Sequence, residues 1–471
     1  MSLIFYAMRT SGALASFDQI LEFAAIRTDA DFQEVERFDA HSRVLPHIVP
    51  SPSALFAARI AVPRLNNSLL PSHYGMVRSI RAKLMAWSPS TFVGFNSLSL
   101  DEHFLRQSLY QTLHPPYLTN CDGNTRADVA KVIQASLLFA PAALIIPRGS
   151  DGQLEIDLCS VASANGLIYD KTCNAINAVE AIINLAEKLN EKAPDLWSTA
   201  MRFSKKAAVV DFIENELVFS LSDFFYGKSQ SWLVTLIGAN GTNSSERYVF
   251  NLGVDPDGLA ALSDDGLRSR LAETPKPVRI LRINAAPILT AEADAPANAS
   301  GRKLDTAELE RRAESLQSDE AFSERLVRAF EEIQEPKALS SHVEEQIYDG
   351  FASDEDIDLM ERFHAVPWEK RSAIVSQFND ARLKRLGRRL IHFENPKALD
   401  ATVRQQHDRA VAKRLLGTDG ESPWLTLPKA MAEIRQLLAT ASPKDITLLR
   451  DHHTFLARTI QRAKALIALP V

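Results

Sequence analysis

The sequence predicts an α/β domain at the N-terminus, a small β domain after it and a helical domain at the C-terminus. Three observations predict this order. Up to about residue 195, short apolar runs of strand length alternate with stretches whose apolar residues recur at helical spacing. From about 200 to 300 the texture becomes β-rich with turn residues between the runs. From about 303 onward the apolar residues keep helical spacing, and prolines punctuate the stretches.

Taken in chain order, Leu3-Ile4-Phe5-Tyr6 reads as a buried strand and Phe23 to Thr28 as its hairpin neighbour. Phe92-Val93-Gly94-Phe95-Asn96 reads as a further strand, followed by a helical run from Leu100 to Leu113. Asp128 to Leu138 and Ala175 to Leu189 have helical spacing. Strands alternating with helices suggest a three-layer α/β arrangement. Trp232 to Ile237 and Arg247 to Leu252 are β-rich, separated by Gly238, Asn240, Gly241 and Asn243, and Pro277 to Asn284 adds another strand. Thr290 to Gly301, rich in Ala, Asp and Ser, reads as an exposed loop. The helical part contains Leu304 to Ile333, Ser353 to Phe363, Glu369 to Leu390, Ala401 to Leu416 and Leu427 to Ala439, with Pro336, Pro367, Pro396, Pro423 and Pro443 between or beside them. The domains are placed at 1–197, 198–343 and 344–471, with no internal repeat.

At 471 residues, about two to four domains are expected. The 46% apolar and 24% charged shares are those of a soluble globular chain. No apolar stretch approaches the roughly 18 residues of a membrane span, and the N-terminus lacks the basic region of a signal peptide. Cys121, Cys159 and Cys173 are few and widely spaced, which suits a reducing cytoplasm and argues against a disulfide framework or zinc module. A net charge of −6 does not advertise nucleic-acid binding, although a local basic groove can sit on an acidic protein. His41, His47, His103 and His114 show no metal-ligand spacing, and His452-His453 point in different directions on a helix.

Several short motifs resemble exonuclease I, the bacterial 3′→5′ single-strand DNA exonuclease of the DEDD type. Phe23 to Asp29 is similar to the family's second strand, Gly94-Phe95-Asn96 followed by Asp101 to its Gly-Tyr-Asn element, and Arg126 with Asp128 to an Arg-x-Asp that opens the next helix. Ala164-Asn165-Gly166 resembles the segment before the last motif. Pro277-Val278 with Ile283-Asn284 and Pro287 resembles the middle domain. Gln346 to Phe351 with Ser353-Asp354, and Phe378 with Asp380 and Arg382, resemble the helical domain. The resemblance covers nearly the whole chain. It implies an RNase H-like (DEDD exonuclease) α/β domain, an SH3-like β domain and a C-terminal helical domain, forming a C-shaped body through which single-stranded DNA threads.

DEDD chemistry uses four carboxylates around two divalent ions and a general base, usually His in this branch. At the family-equivalent positions this chain has Ala7 and Arg9 in place of Asp-x-Glu, Asp101 as the retained acid, and Cys173 and Ala178 in place of the last His and Asp. The count to Cys173 and Ala178 assumes no gap, and Asp170 or Glu180 falls nearby if the register slips. Alanine offers no oxygen, and arginine places a fixed cation where a metal ion should bind. An Arg9–Asp101 ion pair is one replacement for the metal site, and an Arg9 contact to a DNA phosphate is another. Asp101 also reads simply as an acid at a helix N-terminus. Cys173 reads as a buried thiol or as a nucleophile lacking a nearby His.

These residues support three readings. The first is a pseudo-exonuclease that binds single-stranded DNA or DNA 3′ ends, or scaffolds a partner, with no cofactor. Its phosphate contacts would come from Arg9, Arg126, Lys384, Arg385, Arg388 and Arg389, and its base stacking from Phe95, Tyr110, Trp232 or Phe351. The basic cluster at 384–389 and Lys205-Lys206 also read as solvated helix faces, and the aromatic residues also read as core. The second is an active magnesium-dependent exonuclease whose site recruits Glu102, Asp128, Asp170 or Glu180. The third is a protein-interaction subunit, since the resemblance implies a basic pocket for the acidic tail of single-stranded DNA-binding protein.

Overall fold

The run of apolar residues after Ser2 forms β1 (Leu3–Thr10), and its alternation sends side chains into two different cores. Leu3, Phe5 and Ala7 join one apolar cluster, while Ile4 and Tyr6 join another on the opposite face. A strand buried on both faces needs helices above and below it, so the N-terminal sheet is the middle of three layers. In this computed structural model, which describes residues 2–169, 174–225, 227–335, 340–418 and 420–468, β1 pairs antiparallel with β2 (Ile20–Thr28), which pairs antiparallel with β3 (Glu34–His41). On its other side β1 runs parallel to β4 (Thr91–Gly94), and β4 runs parallel to β5 (Thr125–Asp128). The order is β3-β2-β1-β4-β5. Helix Ala175–Lys192 covers one face, burying Ala178, Val179, Ile182 and Leu185, and helix His73–Ala86 covers the other.

The second sheet is antiparallel throughout. It consists of β6 (Phe219–Phe225), β7 (Lys228–Ala239), β8 (Glu246–Asn251), β9 (Val278–Arg282) and β10 (Ile288–Ala291), in the order β10-β6-β7-β8-β9. Two expectations change here. Residues 290–301 are not simply an exposed loop: β10 reaches Ala291, and Ala295 and Ala299 are buried in the core beneath the sheet. The β-rich stretch also starts later than 200, because Lys206–Asn215 is a helix that buries Val209 and Ile213 four residues apart.

In the helical region, Ala401–Leu416 and Leu427–Ala439 have the bounds that the spacing predicts. Two longer predicted helices are each broken in two. Asp319 separates Thr306–Ser318 from Glu320–Glu332, its side chain accepting from Phe322 N. Trp368–Gln377 and Ala381–Glu394 are separated where Asp356 accepts from the backbone of Asn379 and Asp380. Helical periodicity runs across such breaks, but the capping carboxylates satisfy the amides a new helix start exposes. At Gly387 a Cβ would lie 2.6 Å from Val375, so the two halves pack at a distance only glycine permits. Pro336 lies outside the described residues. None of the described helices is long and apolar enough to cross a membrane.

A buried charge cluster ties helix Asp101–Gln111 to the helical region. Glu344 Oε1 accepts from Arg389 at 2.7 Å and from Arg414 at 3.0 Å, and Arg389 also donates to Gln111 Oε1 at 2.8 Å. Gln107 and Tyr110, on helix Asp101–Gln111, donate to the backbone carbonyls of Glu344 and Val343. Replacing Glu344 by Ala leaves two shielded guanidiniums facing each other. Urea denaturation of Glu344→Ala should show a loss of about 3–5 kcal/mol, whereas exchanging the exposed Arg388 for Gln should change stability by less than about 0.5 kcal/mol.

Candidate functional site

The site lies at the carboxyl ends of β1 and β4. Ala7 and Arg9 are two residues apart on β1 and therefore share a face. Ala7 is buried in one apolar cluster with Ala24, Ala175 and Ala178, so two positions where the resemblance places acids are filled by methyl groups of a single core. Arg9 stands opposite Glu22 in the β1–β2 register, and cross-strand partners also share a face. Its Nη2 donates to Tyr169 Oη at 3.1 Å. Glu22, set at helical spacing from Asp18 in sequence, is in fact on β2 and 2% exposed. Its Oε1 lies 2.6 Å from Arg64 Nη1, and its Oε2 accepts from Ala175 N at 3.2 Å. Nothing in the local pattern marks this acid, because the arginine and the helix start that hold it are distant in sequence.

After β4 the chain turns sharply. A Cβ on Gly94 would sit 2.4 Å from Ser97, and Asn96 takes a left-handed conformation at φ 54°, which Asn tolerates better than most residues. Asp128, at the end of β5, fixes this turn. Its Oδ1 accepts from Asn96 N at 2.7 Å and its Oδ2 from Leu98 N at 3.1 Å, while Oδ1 also caps the following helix through Ala130 N. The turn delivers Asp101 and Glu102 to the start of helix Asp101–Gln111. Glu102 is buried and saturated: Oε1 accepts from Tyr6 Oη at 2.8 Å, and Oε2 accepts from Thr119 Oγ1 at 2.7 Å and Arg126 Nη1 at 3.2 Å.

Asp101 differs from its neighbours. Part of its side chain is open to the cleft, yet it sits deep among protein atoms. Burial, reinforced by the nearby carboxylates of Asp128 and Glu102 and opposed by Arg9, raises it from 3.8 to about 8. It therefore carries a proton at neutral pH. The Arg9–Asp101 ion pair considered from sequence is not formed among the described residues: the guanidinium acts on Asp101 through space and is hydrogen-bonded to Tyr169.

The other predicted residues separate into groups. Arg126 is 7% exposed, ion-paired to Glu102, and donates from Nη2 to Asn284 O at 2.8 Å, so its charge is enclosed at the junction with the second sheet rather than offered to DNA. Arg389 is likewise committed to Glu344. Arg385 and Arg388 are exposed, and Lys384 is half-buried. Glu180 points to the sheet edge, where it pairs with Arg37 of β3. Cys173 and Asp170 lie outside the described residues. Tyr110 and Trp232 are core residues, with Arg279 stacked on Trp232 at 3.3 Å, and Phe95 packs against the first core. Phe351 is 85% exposed. Among the described residues no group of three or more His, Cys, Asp or Glu is placed to hold a metal ion.

Phe351 borders a cavity of about 360 Å³ where all three parts of the chain meet. Arg106 and Tyr117 come from helix Asp101–Gln111 and the loop after it, Arg282 and Asn284 from the second sheet and the turn after it, and Tyr348 and Phe351 from the helical region. The rings of Tyr117 and Phe351 are 5.9 Å apart, and Arg106 stands over Tyr117 at 5.3 Å. Sequence pointed to Phe351 alone, because the others converge only through the tertiary fold.

Residues 341–459 match the family described as Exonuclease I C-terminal domain. Over 411 residues, spanning 83% of this chain and 85% of the relative, the sequence is 25% identical to the exodeoxyribonuclease I of Haemophilus influenzae. The chain is similar to exonuclease I proteins along most of its length. Its fold matches the exonuclease I of Methylocaldum szegediense with a TM-score of 0.83 at 20% identity, covering 98% of this chain and 99% of the other. The E. coli exonuclease I solved in complex with a dA16 oligonucleotide matches equally, with a TM-score of 0.83 at 20% identity over 97% and 99%.

Asp101 gives this chain a testable pH signature. Its carboxyl holds a proton more tightly in the folded chain, so the linked part of stability is fully present below the free value of 3.8 and is lost as pH rises to about 8. Asp101→Asn keeps the neutral shape at every pH. Thermal melts should show the variant's advantage over wild type growing by about 3 °C or more between pH 5 and pH 8.5.

Proposed function

We propose that this exonuclease I relative binds single-stranded DNA, or DNA 3′ ends, without metal-dependent cleavage. The observation that carries this reading is the state of the acids. Burial and neighbouring carboxylates push Asp101 up to about 8, and Asp128, Glu102 and Glu22 already accept from backbone amides, hydroxyls or arginines. Magnesium needs several free, ionised oxygens and gives up its water reluctantly. Among the described residues the donor set does not fit a pair of such ions, and the fixed charge of Arg9 opposes them further. The remodelled-nuclease alternative drew on Glu102, Asp128 and Glu180, which have other partners here, and on Asp170.

The sheet order β3-β2-β1-β4-β5 supports an RNase H-like assignment for the first domain, and the five-stranded antiparallel sheet supports an SH3-like assignment for the second. Boundaries near 197 and 343 go with these assignments. DNA would enter by the three-way junction, where Arg106 and Arg282 supply phosphate contacts and Tyr117 and Phe351 supply faces for bases. Arg385 and Arg388 remain available to extend the path. Arg9 would meet the terminal phosphate where the family places its metal ions.

A 5′-labelled oligonucleotide tests the reading by anisotropy and gel in parallel. Binding should weaken with added salt as counterion release requires, and the label should stay on full-length DNA with magnesium or manganese. Phe351→Ala should weaken binding by about tenfold, in line with roughly 1–3 kcal/mol per stacked base. Shortening of the strand that EDTA abolishes would overturn the proposal. Failure to bind DNA at all, with stable capture of a protein partner, would favour the interaction-subunit reading.

A further inference from the structure

A second basic cavity, of about 260 Å³, opens between helix His73–Ala86 of the first domain and helix Asp354–Ala365 of the helical domain. Arg78 and Arg81, one helical turn apart, line it together with His114, and Glu361 and His364 line it from the other side. Arg78 is exposed and Arg81 half-buried. Among the described residues neither forms an ion pair, and Arg78 only rests over the Tyr74 ring at 5.7 Å. Two guanidiniums therefore face one carboxylate, Glu361, across the opening.

The histidines are arranged unequally. The rings of His114 and His364 stack at 3.8 Å. His364 is fully engaged: its Nε2 donates to Leu113 O at 2.8 Å, which leaves Nδ1 to accept from Tyr74 Oη at 2.9 Å, and Tyr74 Oη in turn accepts from Arg371 at 2.7 Å. His114 is 5% exposed, and its Nε2 has no hydrogen-bond partner. A buried polar nitrogen without a partner is uncommon and calls for a ligand or a role. Burial and the surrounding arginines hold both rings neutral, so an anion entering here meets no competing carboxylate except Glu361 at the rim.

We propose that this cavity binds a phosphate group, as free phosphate or as a phosphomonoester, between Arg78 and Arg81 with the His114 ring in its wall. Paired arginines suit the geometry and charge of phosphate. The volume accommodates a phosphate group but falls below the range that encloses a whole organic ligand, roughly 300–1,000 Å³. Because its walls come from two domains, an occupied site bridges them and adds stability that grows with the logarithm of ligand concentration above its Kd.

Thermal melting of the full chain tests this with inorganic phosphate against chloride at equal ionic strength and pH. A rise in Tm of about 3 °C that grows with the logarithm of phosphate concentration is expected, lost in Arg78→Gln/Arg81→Gln and reduced in His114→Phe, which keeps the ring stack without the nitrogen. Arg385→Gln/Arg388→Gln, which removes two exposed charges elsewhere, should retain the rise. A second arm compares a short 5′-phosphorylated oligonucleotide with its unphosphorylated twin. A larger rise for the phosphorylated form, again lost in Arg78→Gln/Arg81→Gln, assigns the phosphomonoester as ligand, and a rise with phosphate alone assigns the free ion. No rise beyond the chloride control in either arm, or an equal rise in Arg78→Gln/Arg81→Gln, overturns the proposal.

Discussion

The buried carboxylate of Glu102 receives hydrogen bonds from Tyr6 on the central strand, from Thr119, and from Arg126, and Arg126 carries the connection on to Asn284 beside the second sheet. Removing this carboxylate would leave a shielded guanidinium and two hydroxyls without partners in a region closed to water, a penalty larger than the net worth of the intact pair. Asp128 acts in the same way one strand over, fixing the turn that leads to Asp101 and starting the next helix. Much of the site's geometry follows from these two acids being held in place.

An acid used this way is not free to bind a metal ion. Both oxygens of Glu102 and both of Asp128 point at donors inside the fold, so an incoming cation would have to break several hydrogen bonds before gaining any ligand. Asp101 is then left among carboxylates with only the distant charge of Arg9 to offset them, and it keeps its proton. Ala7 and Ala178 complete the picture, since methyl groups packed in one core leave neither charge nor room for water. Arg9 supplies a fixed positive charge at the end of β1, held by Tyr169. The arrangement suits recognition of an anion better than activation of a water molecule.

Much of this architecture was legible in the sequence because it rests on periodicity. β1, the helix after Asp128 and the helices at 401–416 and 427–439 follow from the spacing of their apolar residues. β3 was not, because an edge strand with Glu34, Glu36, Arg37 and Asp39 lacks a clear apolar alternation. β5 was hidden by its brevity beside a helix. The substitutions Ala7 and Arg9 were visible from their place in the motif, but what replaces the metal site was not. Glu22 meets Arg64 and the start of helix Ala175–Lys192, Arg126 meets Glu102, and Arg389 meets Glu344, all pairs distant in sequence. Local pattern identifies a charged residue, and only the fold determines whether its charge faces solvent or a partner.

That the site acids are committed to the fold is tested most directly by manganese binding, followed by electron paramagnetic resonance on the full chain at pH 7. The account predicts that the free manganese signal is undiminished by stoichiometric protein. Tight, saturable uptake of two manganese ions per chain, lost in Asp101→Ala, would contradict it.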